Sequence, residues 1–178
     1  MTLLGPVTRR SPAAASASYI AGVSDSHLIG LISDTHGLLR ASVFDALAGV
    51  ALILHAGDVG NGVLEELEAI APVHAVLGNT DALEPRLSTA IDVELGGVSI
   101  HVSHGHELGR PTPEKLLAAY AASVIVYGHT HRQLVVRADG RLVVNPGAAG
   151  HRRFDLEPSC ARLTIADGRA DVEIVELR

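Results

Sequence analysis

Two histidines, His129 and His131, stand in Gly128-His129-Thr130-His131, directly after the apolar run Val124-Ile125-Val126-Tyr127. At a strand end, two such imidazoles can point into one cleft. Three other apolar runs finish in Asp34-Thr35-His36, in Gly57-Asp58 and in Gly78-Asn79-Thr80-Asp81, and a fourth finishes in Ser103-His104-Gly105-His106. Carboxylate, imidazole and carboxamide groups gathered at strand ends, with no thiolate among them, suit Mn²⁺, Fe²⁺, Co²⁺, Ni²⁺ or Zn²⁺. Two such ions roughly 3.5–4 Å apart neutralise both ends of an in-line displacement at phosphorus. The chemistry these residues point to is metal-assisted hydrolysis of a phosphate ester. Side chains at i and i+2 of an extended segment share a side, so Asp34 and His36 are expected to reach one ion together. The same holds for His129 and His131 if that segment is extended too. Glycines at Gly37, Gly57, Gly78, Gly105 and Gly128 let the backbone turn sharply beside these groups.

The elements that must position these turns follow from the apolar periodicity. Strands are expected over 28–33, 51–55 and 72–77, separated by helices over 41–48 and from Asn61 through Leu64, Leu67 and Ile70. Asn61 is the expected N-cap of the second helix. Strand, helix, strand, helix, strand marks parallel crossovers. The pattern then changes. The segment 91–95 alternates and meets 98–102 across Gly96-Gly97, which reads as a hairpin. Thr112-Pro113-Glu114 opens a helix expected to run to Ala122, with a capping hydroxyl and proline at the first helical position. A further strand covers 124–127. Asp139-Gly140 and Asp167-Gly168 read as tight turns, so the last third is mostly antiparallel. Together these predict an α/β fold: two packed mixed sheets flanked by helices, a four-layer α-β-β-α sandwich.

Composition narrows the class. The chain has 178 residues, 47% of them hydrophobic, which suits one globular domain over 27–178. The N-terminal segment 1–26 is rich in Ala, Ser, Gly and Pro without a period and reads as a poorly ordered extension. Arg9-Arg10 before Ala13-Ala14-Ala15 resembles an export signal only faintly, since Pro12 and several serines interrupt it. A net charge of −6 argues against an electrostatic nucleic-acid binder. One cysteine, Cys160, excludes an internal disulfide and a thiolate cluster, which suits a reducing, cytoplasmic setting. No apolar run approaches the roughly 20 residues that cross a bilayer, so no membrane association is expected.

The five blocks taken in order resemble the calcineurin-like metallophosphoesterases, specifically the small branch of YfcE/MJ0936-like phosphodiesterases. That branch is also similar to the retromer subunit Vps29. The Asn145-Pro146-Gly147 turn fits the same pattern, and the resemblance covers Leu28 to the C-terminus. It implies that Asp34, His36 and His131 bind one metal, that Asn79, His104 and His129 bind a second, and that Asp58 bridges them. It further implies two divalent ions, with Mn²⁺ favoured, and a bridging hydroxide as nucleophile. Asp58, Asn79 and His104 would thus sit closest to the reaction. The choice of His104 over His106 as ligand rests on the family pattern, which leaves His106 for substrate or an outer contact.

Two positions depart from the family. Many members of the broader superfamily carry a histidine after the motif asparagine; here it is Thr80, and the small branch commonly has cysteine. A hydroxyl cannot deliver a proton to an alkoxide as a tuned imidazole can. Diesters with good leaving groups are therefore expected to react more readily than alkyl monoesters. Ala148 stands where the branch often has serine, which removes one contact to phosphate or backbone.

The other histidines have plainer expectations. His55, His74 and His101 lie in or beside strands and read as structural, with His55 the best placed to hydrogen-bond near the site. Asp81 is either the hydrogen-bond partner of a ligand imidazole or a turn cap. His27 and His151 read as surface residues. Arg152 and Arg153 read as a solvated loop, with contact to a substrate phosphate as the alternative. The expected substrate is a phosphate-ester small molecule or nucleotide. A non-catalytic Vps29-like protein-binding scaffold and a phosphatase on nucleotides or phosphoproteins are the alternatives. The seven-residue ligand set favours the enzyme over the scaffold. A homo-oligomer is expected by analogy alone.

Overall fold

The computed structural model describes residues 26–153 and 155–178. The expected N-terminal extension lies outside them, apart from Ser26, which opens the first strand. The apolar runs form short strands buried on both faces, as parallel pairing requires. β1 (Ser26–Ile32), β2 (Leu52–His55) and β3 (Val73–Val76) pair in parallel, with Ile29 opposite Leu52 and Ile53 opposite Val73. α1 (Ser42–Ala46) and α2 (Val63–Glu68) make the crossovers. β4 (Leu87–Ser88) extends β3 in parallel and is too short to leave a periodic signal.

The second sheet begins with the expected hairpin of β5 (Ala90–Leu95) and β6 (Val98–Ser103). β7 (Val124–Val126) lies parallel to β6, β9 (Arg141–Asn145) lies parallel to β7, and β8 (Leu134–Ala138) closes the edge antiparallel to β9. The C-terminal hairpin, β10 (Ser159–Ala166) and β11 (Arg169–Glu176), crosses to the first sheet, where β10 pairs antiparallel with β1. The strand orders are β11-β10-β1-β2-β3-β4 and β5-β6-β7-β9-β8, both mixed.

Alternation along the strands sorts the side chains into three layers of packing. Ile29, Leu31 and Leu54 of the first sheet meet Ile100, Val102, Val124 and Val144 of the second, forming the core between sheets. Ile32 and Ile53 point the other way, against Val43 and Leu47 beside α1 and against Val63 and Leu67 of α2. Ile125 and Val143 point outward from the second sheet against Leu116 of α3 (Pro113–Ala119). Each fully buried aliphatic side chain of this kind contributes about 1.5–3 kcal/mol relative to exposure. The result is the expected four-layer α-β-β-α sandwich.

α1 and α2 each stop two residues short of the expected 48 and 70, and two further helix ends differ from expectation. Asn61 does not cap α2: Gly62 holds the N-cap position in a left-handed conformation, with no side-chain cap bond. α3 starts as expected, with the Thr112 hydroxyl accepting from the Lys115 amide and Pro113 at the first position, but it stops at Ala119. Tyr120 turns extended and stacks on the His101 ring at 3.8 Å. The Arg141 guanidinium donates to the carbonyls of Leu117 and Tyr120, which satisfies that helix end.

Candidate metal centre

The loops after β1, β2, β3, β6 and β7 converge and bring all seven expected ligand residues together. Five of the seven, Asp34, His36, Asp58, His129 and His131, have positive φ between 49° and 66°. Such backbone is costly for residues with a Cβ and persists only where the surroundings impose it. Asp34 and His36 therefore face one space because left-handed backbone at both positions aims them, not because the segment is extended, and the same backbone aims His129 and His131 at different groups.

Two groups of side chains meet at Asp58. His131 Nε2 lies 3.3 Å from Asp34 Oδ1 and 3.4 Å from His36 Nε2. One ligand atom from each of Asp34, His36, Asp58 and His131 lies within 4.8 Å of all the others. On the other side, Asn79 Oδ1 lies 3.2 Å from His104 Nε2 and 2.9 Å from His129 Nδ1. Asp58 Oδ2 stands between the groups, 3.7 Å from His36 Nε2 and 3.5 Å from His104 Nε2.

Hydrogen bonds behind the centre fix these atoms. His104 Nδ1 donates to the Ala56 carbonyl at 2.7 Å, which leaves Nε2 to face inward. The Thr80 amide donates to Asp58 Oδ1 at 2.9 Å. The Ser33 hydroxyl lies 2.7 Å from Asp34 Oδ2, and the His129 amide donates to Asp34 Oδ1. Asn145 donates to the Gly128 carbonyl and accepts from the Gly147 amide, holding the histidine turn. His131 Nδ1 is buried with no hydrogen-bond partner among the described residues.

His55 is fully buried beneath the ligands. Its Nδ1 accepts from the Gly57 amide, and its Nε2 lies 2.9 Å from the Thr35 hydroxyl, which donates onward to the Val59 carbonyl. It thus ties the loop of Asp34 to the loop of Asp58. Burial pushes the His55 imidazole down to about 3, so this tie is made by a neutral ring. Asp81 resolves as a clamp on backbone: Oδ1 accepts from the Gly60 amide and Oδ2 from the Gly78 amide, and no imidazole is among its hydrogen-bond partners in the described residues. Thr80 Oγ1 lies 3.4 Å from His36 Nδ1. His106 sits exposed on the rim, its ring 5.3 Å from that of His104.

The electrostatics ask for positive charge. Burial raises the Asp34 carboxyl to about 7, although the His104 charge and the Ser33 hydroxyl lower it. Burial also opposes a charge on His104, yet its hydrogen bond to Asp58 and the nearby Asp34 raise it above the ordinary imidazole value. The Asp58 carboxyl is held below the usual range: burial opposes this, but hydrogen bonds from His104 and Thr80 prevail. Burial lowers His36, His129 and His131, the last to about 4. Lone pairs on neutral imidazoles, a carboxamide oxygen and two carboxylates thus crowd one space. A divalent cation in either group would relieve that crowding, so the donor set fits such ions.

Ser33, Thr35 and the Ala56 carbonyl were not expected as supports from the sequence. Thr35 lies inside the first motif, but its downward-facing contact leaves no sequence signal. Among the other histidines, His101 is structural, with Nδ1 2.8 Å from Asp92 Oδ1 on the neighbouring strand. His74 and His151 are exposed, and His27 is half-buried.

Comparisons with known proteins bear on the family and the fold. A family model described as calcineurin-like phosphoesterase superfamily domain matches residues 28–168. A Methanothermobacter thermautotrophicus protein named "Probable metallophosphoesterase" is 36% identical over 160 residues, covering 83% of this chain and 91% of the relative. Phosphodiesterase MJ0936 of Methanocaldococcus jannaschii is 30% identical over 139 residues, covering 67% of this chain and 82% of the relative. The structure of a Vps29 single mutant from Entamoeba histolytica superposes with a TM-score of 0.72 at 23% identity, covering 85% of this chain and 99% of that one, a likeness of fold.

Proposed function

The chain belongs to the calcineurin-like phosphoesterase superfamily, and from that premise we propose that it is a metal-dependent phosphodiesterase. Asp34, His36 and His131 hold one divalent cation, and Asn79, His104 and His129 hold a second. Asp58 serves both. The observation that carries this reading is the place of Asp58 Oδ2, within 3.7 Å of imidazole nitrogens from both groups. Two divalent cations held by these residues would supply Lewis acidity toward the phosphoryl oxygens and would lower the pKa of bound water. Mn²⁺ is the proposed ion, since the donors are oxygen and imidazole; Fe, Co, Ni and Zn suit the same set.

The chain's own residues supply position. His55, Thr35 and the Thr80 amide hold the two carboxylate loops at a fixed separation, so the donors need little rearrangement when ions bind. Thr80 and His106 stand on the open rim, where a leaving group would depart. A threonine there favours esters whose leaving groups need no proton, and so activated diesters over alkyl monoesters. The complete donor set supports an enzyme over a protein-binding scaffold. A reducing, cytoplasmic setting belongs to this reading. No helix among the described residues is long and apolar enough to cross a membrane.

The test is hydrolysis of bis-p-nitrophenyl phosphate by Mn²⁺-loaded protein, with p-nitrophenyl phosphate, nucleoside monophosphates and cyclic nucleotides in parallel. Diester turnover above the metal-only background is expected. Metal-replete protein silent across several ions and all esters would favour the scaffold, and monoester preference would favour the phosphatase.

A further inference from the structure

We propose that Arg153 is the anion-binding residue of this centre and holds a non-bridging phosphoryl oxygen of the substrate beside the Asp34–His36–His131 group. The inference rests on the phosphoesterase reading above and deepens it.

The path of the chain brings Arg153 to the site. After β9 the Ala149 amide donates to the Ser33 carbonyl at 3.0 Å, and the Gly150 amide reaches the Asp34 carbonyl. A Cβ on Gly150 would lie 2.1 Å from the Thr35 carbonyl oxygen, so only glycine allows so close a pass over the first ligand loop. Arg40 Nε fastens the same point by donating to the Gly150 carbonyl at 2.9 Å. Three residues later the two arginines part. Arg152 pairs with Glu157 at 2.6 Å, which neutralises it. Arg153 has no carboxylate within ion-pairing distance among the described residues, and its Nη2 lies 3.5 Å from His36 Nε2.

His36 Nε2 is the atom aimed at Asp58 and His131, so it is the proposed metal donor. A guanidinium always carries its charge and its fork matches phosphate oxygens. A cation that takes the His36 lone pair removes the partner Arg153 faces and places like charge beside it. An anion between the two resolves both problems, and the substrate phosphoryl group is such an anion. Arg153 is exposed, which leaves its fork accessible to an incoming ester. His106 lies at the other group, its ring 6.3 Å from that of His129, so the two ends of the rim differ: guanidinium at one, imidazole at the other.

This arrangement predicts responses of opposite sign. Removing Arg153 takes away the anion partner and also the charge that competes with the cation. The experiment is isothermal titration of wild type, Arg153→Ala and Arg153→Lys, with Mn²⁺ into metal-free protein and then inorganic phosphate into Mn²⁺-loaded protein, alongside bis-p-nitrophenyl phosphate kinetics. In Arg153→Ala, phosphate binding is expected to weaken about tenfold or more, KM to rise more than kcat falls, and Mn²⁺ to bind as tightly or tighter. Arg153→Lys should fall between, because a point charge lacks the fork. Unchanged phosphate affinity in Arg153→Ala, with a wild type that binds Mn²⁺ and cleaves the diester, overturns this inference alone. Joint weakening of Mn²⁺ and phosphate overturns it too, since Arg153 would then merely prop His36. A wild type that takes up none of Mn²⁺, Fe²⁺, Co²⁺, Ni²⁺ or Zn²⁺ overturns the phosphoesterase reading and this one with it.

Discussion

The backbone amide of Thr80 donates to Asp58 Oδ1 at 2.9 Å, which turns the other carboxylate oxygen toward histidines from both sides of the centre. The contact comes from backbone, so the side chain at position 80 can change without releasing Asp58. Asp58→Asn is therefore expected to lower diesterase activity by more than about 100-fold, above the range typical of outer contacts to a metal site. Thr80→Ala should cost less than about tenfold, within that range. Steady-state kinetics at saturating Mn²⁺ measure both, and comparable losses would count against the placement of Asp58 between two ions.

Gly78 is fixed by sterics. A Cβ there would lie 2.0 Å from Asp58 Oδ1 and 2.2 Å from the Asp58 amide nitrogen, and backbone cannot step aside as a side chain can. Gly78→Ala is expected to destabilise the protein by about 2 kcal/mol or more and to weaken Mn²⁺ uptake. Urea unfolding and elemental analysis measure the two effects, and wild-type values for both would show that the loop yields freely.

The hydrogen bonds of His55 among the described residues go to the Thr35 hydroxyl and the Gly57 amide and tie the ligand loops together. His55→Phe removes a buried hydrogen-bonding ring, strands the Gly57 amide and takes from the Thr35 hydroxyl its imidazole partner, leaving the bond to the Val59 carbonyl. A stability loss of about 1–3 kcal/mol is expected, together with a 10–100-fold loss of Mn²⁺ affinity. An intact Mn²⁺ affinity in a folded His55→Phe protein would make the tie irrelevant to the centre.

The metal-free centre should respond to pH through Asp34. Its carboxyl is raised from an ordinary 3.8 to about 7 in the folded state, chiefly by burial. The folded state then binds the proton more tightly than the unfolded chain, so this group's contribution declines as pH rises from about 4 to about 7. Cation binding requires the ionised carboxylate and reverses that loss. The rise in melting temperature on adding Mn²⁺ is therefore expected to be larger at pH 8 than at pH 5.5. Differential scanning fluorimetry tests this, and equal shifts at the two pH values would remove Asp34 from the linkage.

The sequence by itself determined the strand ends, because each short apolar run stops at a block of glycine and polar residues that cannot continue a buried strand. Those blocks carry Asp34, His36, Asp58, Asn79, His104, His129 and His131, so the candidate ligands were legible before any geometry. The hairpins at Gly96-Gly97, Asp139-Gly140 and Asp167-Gly168 were legible for the same reason, since local turn chemistry sets them. Tertiary structure alone decided how the ligands are aimed. Asp34 and His36 face one space through left-handed backbone, which no periodicity encodes. Only the pairing of β10 with β1 shows that the last hairpin joins the first sheet, because pairing partners more than a hundred residues apart leave no local pattern. The same kind of distance hid the contact of Arg153 with His36, and the contacts of Asn145 with the histidine turn and of His55 with Thr35, though nearer along the chain, depend on how separate strands pack. A side chain's type can be read along the chain, but what it faces depends on how remote segments pack.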